Sequence, residues 1–517
     1  MAAALTLTTS TGRPPPFDLP PLRAADPTPG ASGSIVEGFA LTRSQTPTLP
    51  DTRSKTTAVF GSYVLAHGAE GQEVLRDHWV ILEDDRIAAI TESRPAQADH
   101  VIDRPGRFVL PGLMNLHNHC FSEAIARSHA EDGVSKRNDQ SIVYTVLLPL
   151  SKTGLDILTA EERMAIARMG VIQLLLGGAT SVMEPFRNNL PEMFDAAAEL
   201  GLRFWGAPYL FSASNPRAGT EGEVSYTASS TDGRDNAVDL AAWNALYDQW
   251  HGRENGRISL AMSPHATDTC DPDLLRAATD RARDLSVPIT THVAQSEGEV
   301  ATIAKRWDGR SPAEYLDWLG VLGPDLLAAH CVYSSESDLA LMKARDVTVV
   351  NCPRVFARTG KTASFGRFEA AGLRTLVGTD GYNMDLLGEI NAAGIVSKVT
   401  RGDARSATAP ALLNAITGAG SVALKRPDLG RITPGAKADL TLIDMTHPHL
   451  QPHYDPRRTL VSLANRANVD TVIVDGRVLV DSGSVAIADA TALTEAGAAA
   501  IRKIWDQPEA REAFAAT

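Results

Sequence analysis

Cysteine is scarce in this chain, with 4 in 517 residues and no C-x-x-C pair. So few thiols cannot form a disulfide framework in a chain of this length. Basic residues also run short: 49 Lys+Arg stand against 62 Asp+Glu, a net charge of −13. That balance excludes nucleic acid and anionic membrane surfaces as partners, since both need a basic face. No apolar run approaches the ~18 residues of a membrane span. The opening residues MAAALTLTTSTG lack the basic start and apolar core of a signal peptide. Missing too are a G-x-G-x-x-G after the first strand, a Walker loop, a G-x-S-x-G elbow and any P-C-x-x-C. These absences argue against dinucleotide binding, serine hydrolysis and nucleic-acid-editing zinc deaminases. The expectation is a soluble, acidic, cytoplasmic protein whose partner is a small molecule.

What is present falls into distinct stretches. Residues 1–55 are rich in Pro, Thr, Ser and Gly, including Pro14-Pro15-Pro16 and Pro20-Pro21, and read as a flexible extension. Short apolar strands then begin at Val59–Leu65, Trp79–Leu82 and Ile87–Ile90, the last two joined by Glu83-Asp84-Asp85. A similar stretch lies near the far end, where Asp475-Gly476 joins Val472–Val474 to Val478–Val480, a strong hairpin signal. Residues 56–110 and 427–490 are therefore expected to build one small β domain from both ends, with 491–517 a C-terminal helix. Between them, residues 111–426 alternate strands with amphipathic helices. Helix Ala160–Leu176 precedes strand Ala179–Met183, and helix Leu274–Leu285 precedes strand Pro288–His292. Further strands are read at Leu326–His330, Val347–Val350 and Leu373–Gly378. This rhythm predicts an α/β fold with a parallel sheet, and the length suits a (β/α)8 TIM barrel better than a doubly wound sheet. Residues 212–235, rich in Ser, Gly and Asp, read as a loop inserted over the mouth.

Chemistry in a barrel gathers at the carboxyl ends of the strands. His117 and His119 sit two apart on an extended segment after Pro111-Gly112, so both rings face one side. His265 ends Ile258–Met262, His292 ends the strand from Pro288, His330 ends Leu326–Ala329, and Asp380 follows Val377-Gly378-Thr379. The spacing assigns these groups to strands 1, 5, 6 and 8. Three or four N/O ligands with an open position describe one catalytic divalent metal: zinc first, with iron or manganese accepted by the same set. Such an ion brings the pKa of water from about 15.7 towards ~7, and Asp380 or His330 would act as general base. Glu184 ends strand 2 and is read as a pocket residue or a salt-bridge partner. Cys120, Cys270, Cys331 and Cys352 fall inside the same motifs and read as packing.

The motifs PGLMNLHNH (111–119), LLLGGATSVME (174–184), SPHATDTC (263–270), THVAQSEGEV (291–300), AAHCV (328–332), VGTDG (377–381), PGAKADLTLID (434–444) and DTVIVDGRVLV (470–480) run in order. Together they resemble the amidohydrolase superfamily, in the branch of S-adenosylhomocysteine and guanine deaminases and atrazine-type chlorohydrolases. The resemblance implies a distorted (β/α)8 barrel with a β-sandwich, a metal on His117, His119, His292 and Asp380, and a homo-oligomer (dimer or tetramer). It implies that His330 stands by the water or substrate and that His265 orients the substrate. Two departures stand out. Gln295 occupies a catalytic position where deaminases usually carry a proton-shuttling Glu. Asn351-Cys352-Pro353-Arg354-Val355-Phe356 replaces the family's H-[NC]-P-x-S-N, bringing Arg354 near the mouth as a substrate contact. The implied activity is hydrolysis of a C–N bond (amide, urea, carbamate or ring substituent) in a small cyclic or aromatic-bearing molecule. The alternatives are an aminoheterocycle deaminase of purine, pterin or triazine type, a chlorohydrolase, or a catalytically inactive barrel that only binds.

Overall fold

The computed structural model describes residues 55–511 except 69–70, 122–124, 126–147, 187–190, 219–223, 229–238, 363, 382 and 509. The extension expected over residues 1–55 lies outside the described residues, Lys55 excepted. The first five strands are β1 (Thr56–Gly68), β2 (Gly71–Glu83), β3 (Arg86–Thr91), β4 (His100–Ile102) and β5 (Arg107–Pro111). Their Val, Ile, Leu and aromatic content suits a pleated, half-buried surface. β1 runs antiparallel to β2 and parallel to β4 and β5.

At Gly112 the chain turns into a parallel region. It comprises β6 (Leu113–Asn115), β7 (Ala179–Phe186), β8 (Arg203–Leu210), the hairpin β9 (Ala213–Ala218) and β10 (Val224–Ala228), then β11 (Ile258–Leu260) and β12 (Ser263–Pro264). It continues with β13 (Ile289–Val293), β14 (Leu326–His330), β15 (Thr348–Asn351) and β16 (Arg374–Val377). One parallel sheet has the order β11-β8-β7-β6, with β12 also on β8; the other runs β13-β14-β15-β16. Isolated parallel bridges link them: Met262↔Ile289 and Ala266↔His292 on one side, Asn118↔Asp380 on the other. β7 and β8 are buried along their whole length, as parallel strands between helices must be. Local signals fix the helices. Thr159 and Glu162 form a capping box on Ala160–Leu176, and Asp271 caps Pro272–Asp284 with Pro at its first position. Where the sequence suggested a plain loop over 212–235, the described part is the β9–β10 hairpin, its backbones paired antiparallel from Ala213↔Ala228 to Ala218↔Val224. The rest of that stretch lies outside the described residues.

The chain then returns with β17 (Leu440–Asp444), β18 (Val469–Val474), β19 (Arg477–Asp481) and β20 (Ser484–Val485). They complete one sheet of order β20-β19-β18-β17-β5-β1-β2-β3, so both ends of the described chain meet where β5 pairs β17. The β18–β19 turn puts Asp475 at φ 49 and Gly476 at φ 75, the double left-handed geometry that two-residue hairpins demand. A Cβ at Gly476 would come within 2.0 Å of the Asp84 carbonyl oxygen, so only glycine fits. A buried ion cluster ties the parallel strands to this sheet. Arg203, on β8 and 0% exposed, donates to Asp439 at 2.8 Å and Asp475 at 2.5 Å. Helix Ala490–Trp505 packs on Ala160–Leu176. Among the described residues no helix is long and apolar enough to cross a membrane.

Candidate metal centre

β6 ends at Asn115, and the chain then crosses to the tip of β16. The His119 N–H donates to the Asp380 carbonyl at 2.9 Å, and the Asp380 N–H donates to the His117 carbonyl at 3.0 Å. Side chains reinforce the junction. The Asn115 amide donates to Thr379 Oγ1 at 2.7 Å, Thr379 N–H returns to Asn115 Oδ1 at 3.1 Å, and Thr379 Oγ1 donates to Asn118 Oδ1 at 3.0 Å. His330 and Asp380 hold left-handed backbone angles, φ 74 and 54, although neither is glycine. Strain of this kind collects at functional sites.

These elements bring the expected ligands together. The His117 ring centroid lies 4.8 Å from that of His119, 5.1 Å from His292 and 4.8 Å from His330. Ligand atoms of His117, His119 and His292 all fall within 4.8 Å of one another, as do those of His117, His330, Cys352 and Asp380. Asp380 Oδ1 is 3.5 Å from His119 Nε2, and its Oδ2 is 3.6 Å from His330 Nε2. His119 Nδ1 lies 2.8 Å from the Pro185 carbonyl, and His292 Nδ1 lies 2.6 Å from the His265 carbonyl. A carbonyl can only accept, so each Nδ1 carries the proton and each Nε2 keeps its lone pair for an electrophile.

His117 provides the sharpest test of fit. Both its ring nitrogens are buried without a hydrogen-bond partner. Leaving them so is costly, and a cation among these donors would satisfy a lone pair there. Burial, then repulsion from His119, His330 and His292, holds His117 well below its ordinary range; burial does the same for His330. Burial lowers His119 and His292 to about 4, so all four rings are neutral, the form that ligates metal. Burial also raises Asp380 to about 6. The Cys352 thiol is pushed well above its usual value by burial, so it stands beside the cluster as a neutral thiol. Neutral imidazoles with one carboxylate fit zinc, iron or manganese.

The other expected site residues are placed more variously. His265 stands 4.9 Å from His292 between ring centroids, stacked on Phe211 at 4.4 Å, with Nδ1 2.9 Å from Thr269 Oγ1. Glu184 is fully buried behind the His117–His119 segment, its oxygens receiving Asn118 Nδ2 at 2.5 Å and the Phe121 N–H at 3.2 Å. Burial raises this carboxyl to about 7. Gln295 is 8% exposed, its Nε2 has no partner, and its backbone N–H donates to Glu299 at 2.8 Å. Arg354 donates its backbone N–H to Glu389 at 2.9 Å. Its side chain lines a cavity of about 420 Å³ with Asp385, Asn391, Ile395 and Leu463, which includes none of the cluster's residues.

Sequence reasoning passed over several residues that matter here. Asn118 and Thr379 flank the ligands and could have been suspected from their polarity inside apolar motifs. Glu299 accepts from Thr267 Oγ1 at 2.5 Å and from the Ala294 and Gln295 N–H groups, holding the loop behind His292. Only its contact with Thr267, 32 residues earlier, is long-range, and that contact leaves no sequence signal. Phe356 was noted as a departure, but its contact with His330, 4.9 Å between ring centroids, needed the tertiary structure.

The chain matches the amidohydrolase family model over residues 108–479. It is 31% identical over 428 residues to the 5-methylthioadenosine/S-adenosylhomocysteine deaminase of Moorella thermoacetica, covering 80% of this chain and 91% of that one. It is 30% identical over 438 residues to the 5′-deoxyadenosine deaminase of Methanothermobacter thermautotrophicus, covering 82% and 94%. Similar solved structures include an adenosine deaminase from Xanthomonas campestris with bound zinc: TM-score 0.74, 23% identity, 87% of this chain and 98% of that one. Another is atrazine chlorohydrolase from Arthrobacter aurescens TC1 complexed with zinc: TM-score 0.76, 21% identity, 86% and 100%. At these identities the structures speak for the fold.

Proposed function

The chain belongs to the amidohydrolase family and is a hydrolase of carbon–nitrogen bonds, and on that premise we propose that it uses one divalent metal to hydrolyse a small cyclic or aromatic-bearing substrate. The observation that carries the reading is His117, buried among three further neutral imidazoles and Asp380 with neither ring nitrogen partnered. His117, His119, His292 and Asp380 would hold the ion, zinc first. Bound there, it supplies Lewis acidity that brings the pKa of water from about 15.7 towards ~7. Asp380 takes the proton from water and returns it to the departing nitrogen. His330, 3.6 Å from Asp380, orients that carboxylate and the substrate. Gln295 cannot shuttle a proton, so its unpartnered Nε2 serves as a hydrogen-bond donor to the substrate. His265 orients the substrate from beside His292. Glu184 positions the His117–His119 segment, and Arg354 stands outside the chemistry.

The relatives' names favour a second reading within the same chemistry, deamination of an adenosine-type ring. The parallel strands β6, β7, β8, β11 and β13–β16 are read as one distorted (β/α)8 barrel over residues 111–426, with 56–110 and 427–490 as its β-sandwich and 491–517 as a terminal helix. We place the enzyme in the cytoplasm as a dimer or tetramer. The test is metal content and release of ammonia or amine from a panel of aminated purines, pterins, triazines, ureas and carbamates. His117→Ala and Asp380→Asn are expected to lose metal and at least a hundredfold of activity. Full metal and full activity in both variants would sink the assignment.

A further inference from the structure

β15 ends at Asn351, and Cys352 leads into the short helix Pro353–Arg358. Proline at the first helical position fixes this turn, so the helix starts immediately beside Cys352, which lies in the ligand group. One helical turn later Phe356 returns over the cluster. Its ring centroid is 4.9 Å from that of His330 at 66°, and the side chain is only half-buried, which leaves part of its ring accessible. The flank towards β8 is also aromatic. Tyr209 lies 4.8 Å from His265 and 5.8 Å from His292, and Phe211 stacks on His265. Arg354, two residues before Phe356, pairs with Glu389 at 3.7 Å. The β15 flank therefore presents an aromatic ring beside His330.

We propose that Phe356 is a specificity-determining residue of this centre, an aromatic wall beside His330 that selects substrates whose reacting carbon belongs to a flat ring. The proposal rests on the hydrolase reading above and narrows its substrate class. Ring-on-ring contact rewards any π face and gives nothing to an open-chain amide of equal polarity.

The test uses the full chain loaded with zinc, as wild type, Phe356→Leu and Phe356→Tyr, with Phe356→Met replacing the leucine variant if that one misfolds. Titration calorimetry is run with adenine, 5′-methylthioadenosine and melamine as flat probes, and with N-acetylglycinamide as the uncharged open-chain probe. At least one flat probe should bind the wild type saturably. Phe356→Leu should weaken it roughly three- to tenfold and Phe356→Tyr should restore it to within about twofold, with the open-chain probe unaffected. For any ring that is turned over, the leucine variant should raise KM with kcat within about twofold, the pattern of lost ground-state contact. Absence of ring binding to the wild type, equal binding in Phe356→Leu, or equal weakening of both probe classes would overturn the proposal. Binding is read without turnover, so a protein that holds rings through Phe356 yet hydrolyses none refutes the hydrolase reading and leaves this one standing.

Discussion

Glu184 separates two accounts of the site, because a pocket carboxylate and a positioning carboxylate fail differently. In the structure both its oxygens are engaged, by Asn118 Nδ2 and the Phe121 N–H, with Cys120 also donating. Glu184→Ala strands at least two buried donors. At about 1–3 kcal/mol each, the variant should lose about 2–6 kcal/mol of unfolding free energy. Asn118 lies between His117 and His119, so zinc affinity should fall about 10–100-fold, as is usual when support behind a ligand is removed. Glu184→Gln keeps the shape and should lose far less of both. The carboxyl also carries a pH signature. Burial raises it from the ordinary 4.5 to about 7, so between these values the native state holds a proton that the unfolded chain has released. Its contribution is complete below pH 4.5 and is lost as pH rises through 7, by about 3 kcal/mol in all. In urea unfolding of the metal-free protein, the stability of wild type relative to Glu184→Gln should therefore fall by about 3 kcal/mol between pH 4.5 and 8, a difference from which the titration of the neighbouring histidines cancels. If Glu184→Ala kept wild-type zinc affinity and stability and raised only KM, the carboxylate would be touching substrate and the positioning argument would fail.

The remaining expectations are simpler. Arg203→Met removes the cation from a cluster in which Asp439 and Asp475 are almost fully buried, and should cost about 3–5 kcal/mol in urea unfolding; a loss below about 1 kcal/mol would contradict the role given to that cluster. Stripping metal with a chelator should lower Tm, and free zinc at a hundred times its Kd should restore about 2.7 kcal/mol. The recovery should vanish in His117→Ala, and an unchanged Tm on chelation would count against the centre. Arg354→Gln should leave KM for any ring substrate within about twofold, since its side chain pairs with Glu389 and lines a cavity that includes none of the cluster's residues; a tenfold rise would return it to the substrate pocket.

Much of the candidate site was legible because its proposed ligands end strands, and strand ends are marked by apolar runs that stop at a polar residue. His292 closes the buried run Ile289–Val293 almost at its tip, and His330 closes Leu326–His330. The 50-residue gap from His330 to Asp380 required an intervening strand, and β15 at Thr348–Asn351 fills it. The Asp475-Gly476 hairpin was equally local, since two consecutive left-handed residues admit few sequences. Residues 212–235 misled because Ser, Gly and Asp signal a loop, while cross-strand pairing of β9 with β10 is a tertiary choice.

By itself the sequence determined which residue types stand at the ends of the strands, because periodicity and turn chemistry are local. It therefore named His117, His119, His292, His330 and Asp380, and it marked Gln295 and Phe356 as departures. Only the tertiary structure decided which way each side chain is spent. Glu184, near the end of β7, and Arg354, just past β15, look alike as pocket candidates. Yet the fold turns the first towards Asn118 and Phe121 and pairs the guanidinium of the second with Glu389, partners 63 to 66 and 35 residues away. Such pairings satisfy buried polar groups across the fold, and a demand of that kind leaves no period or motif in the chain.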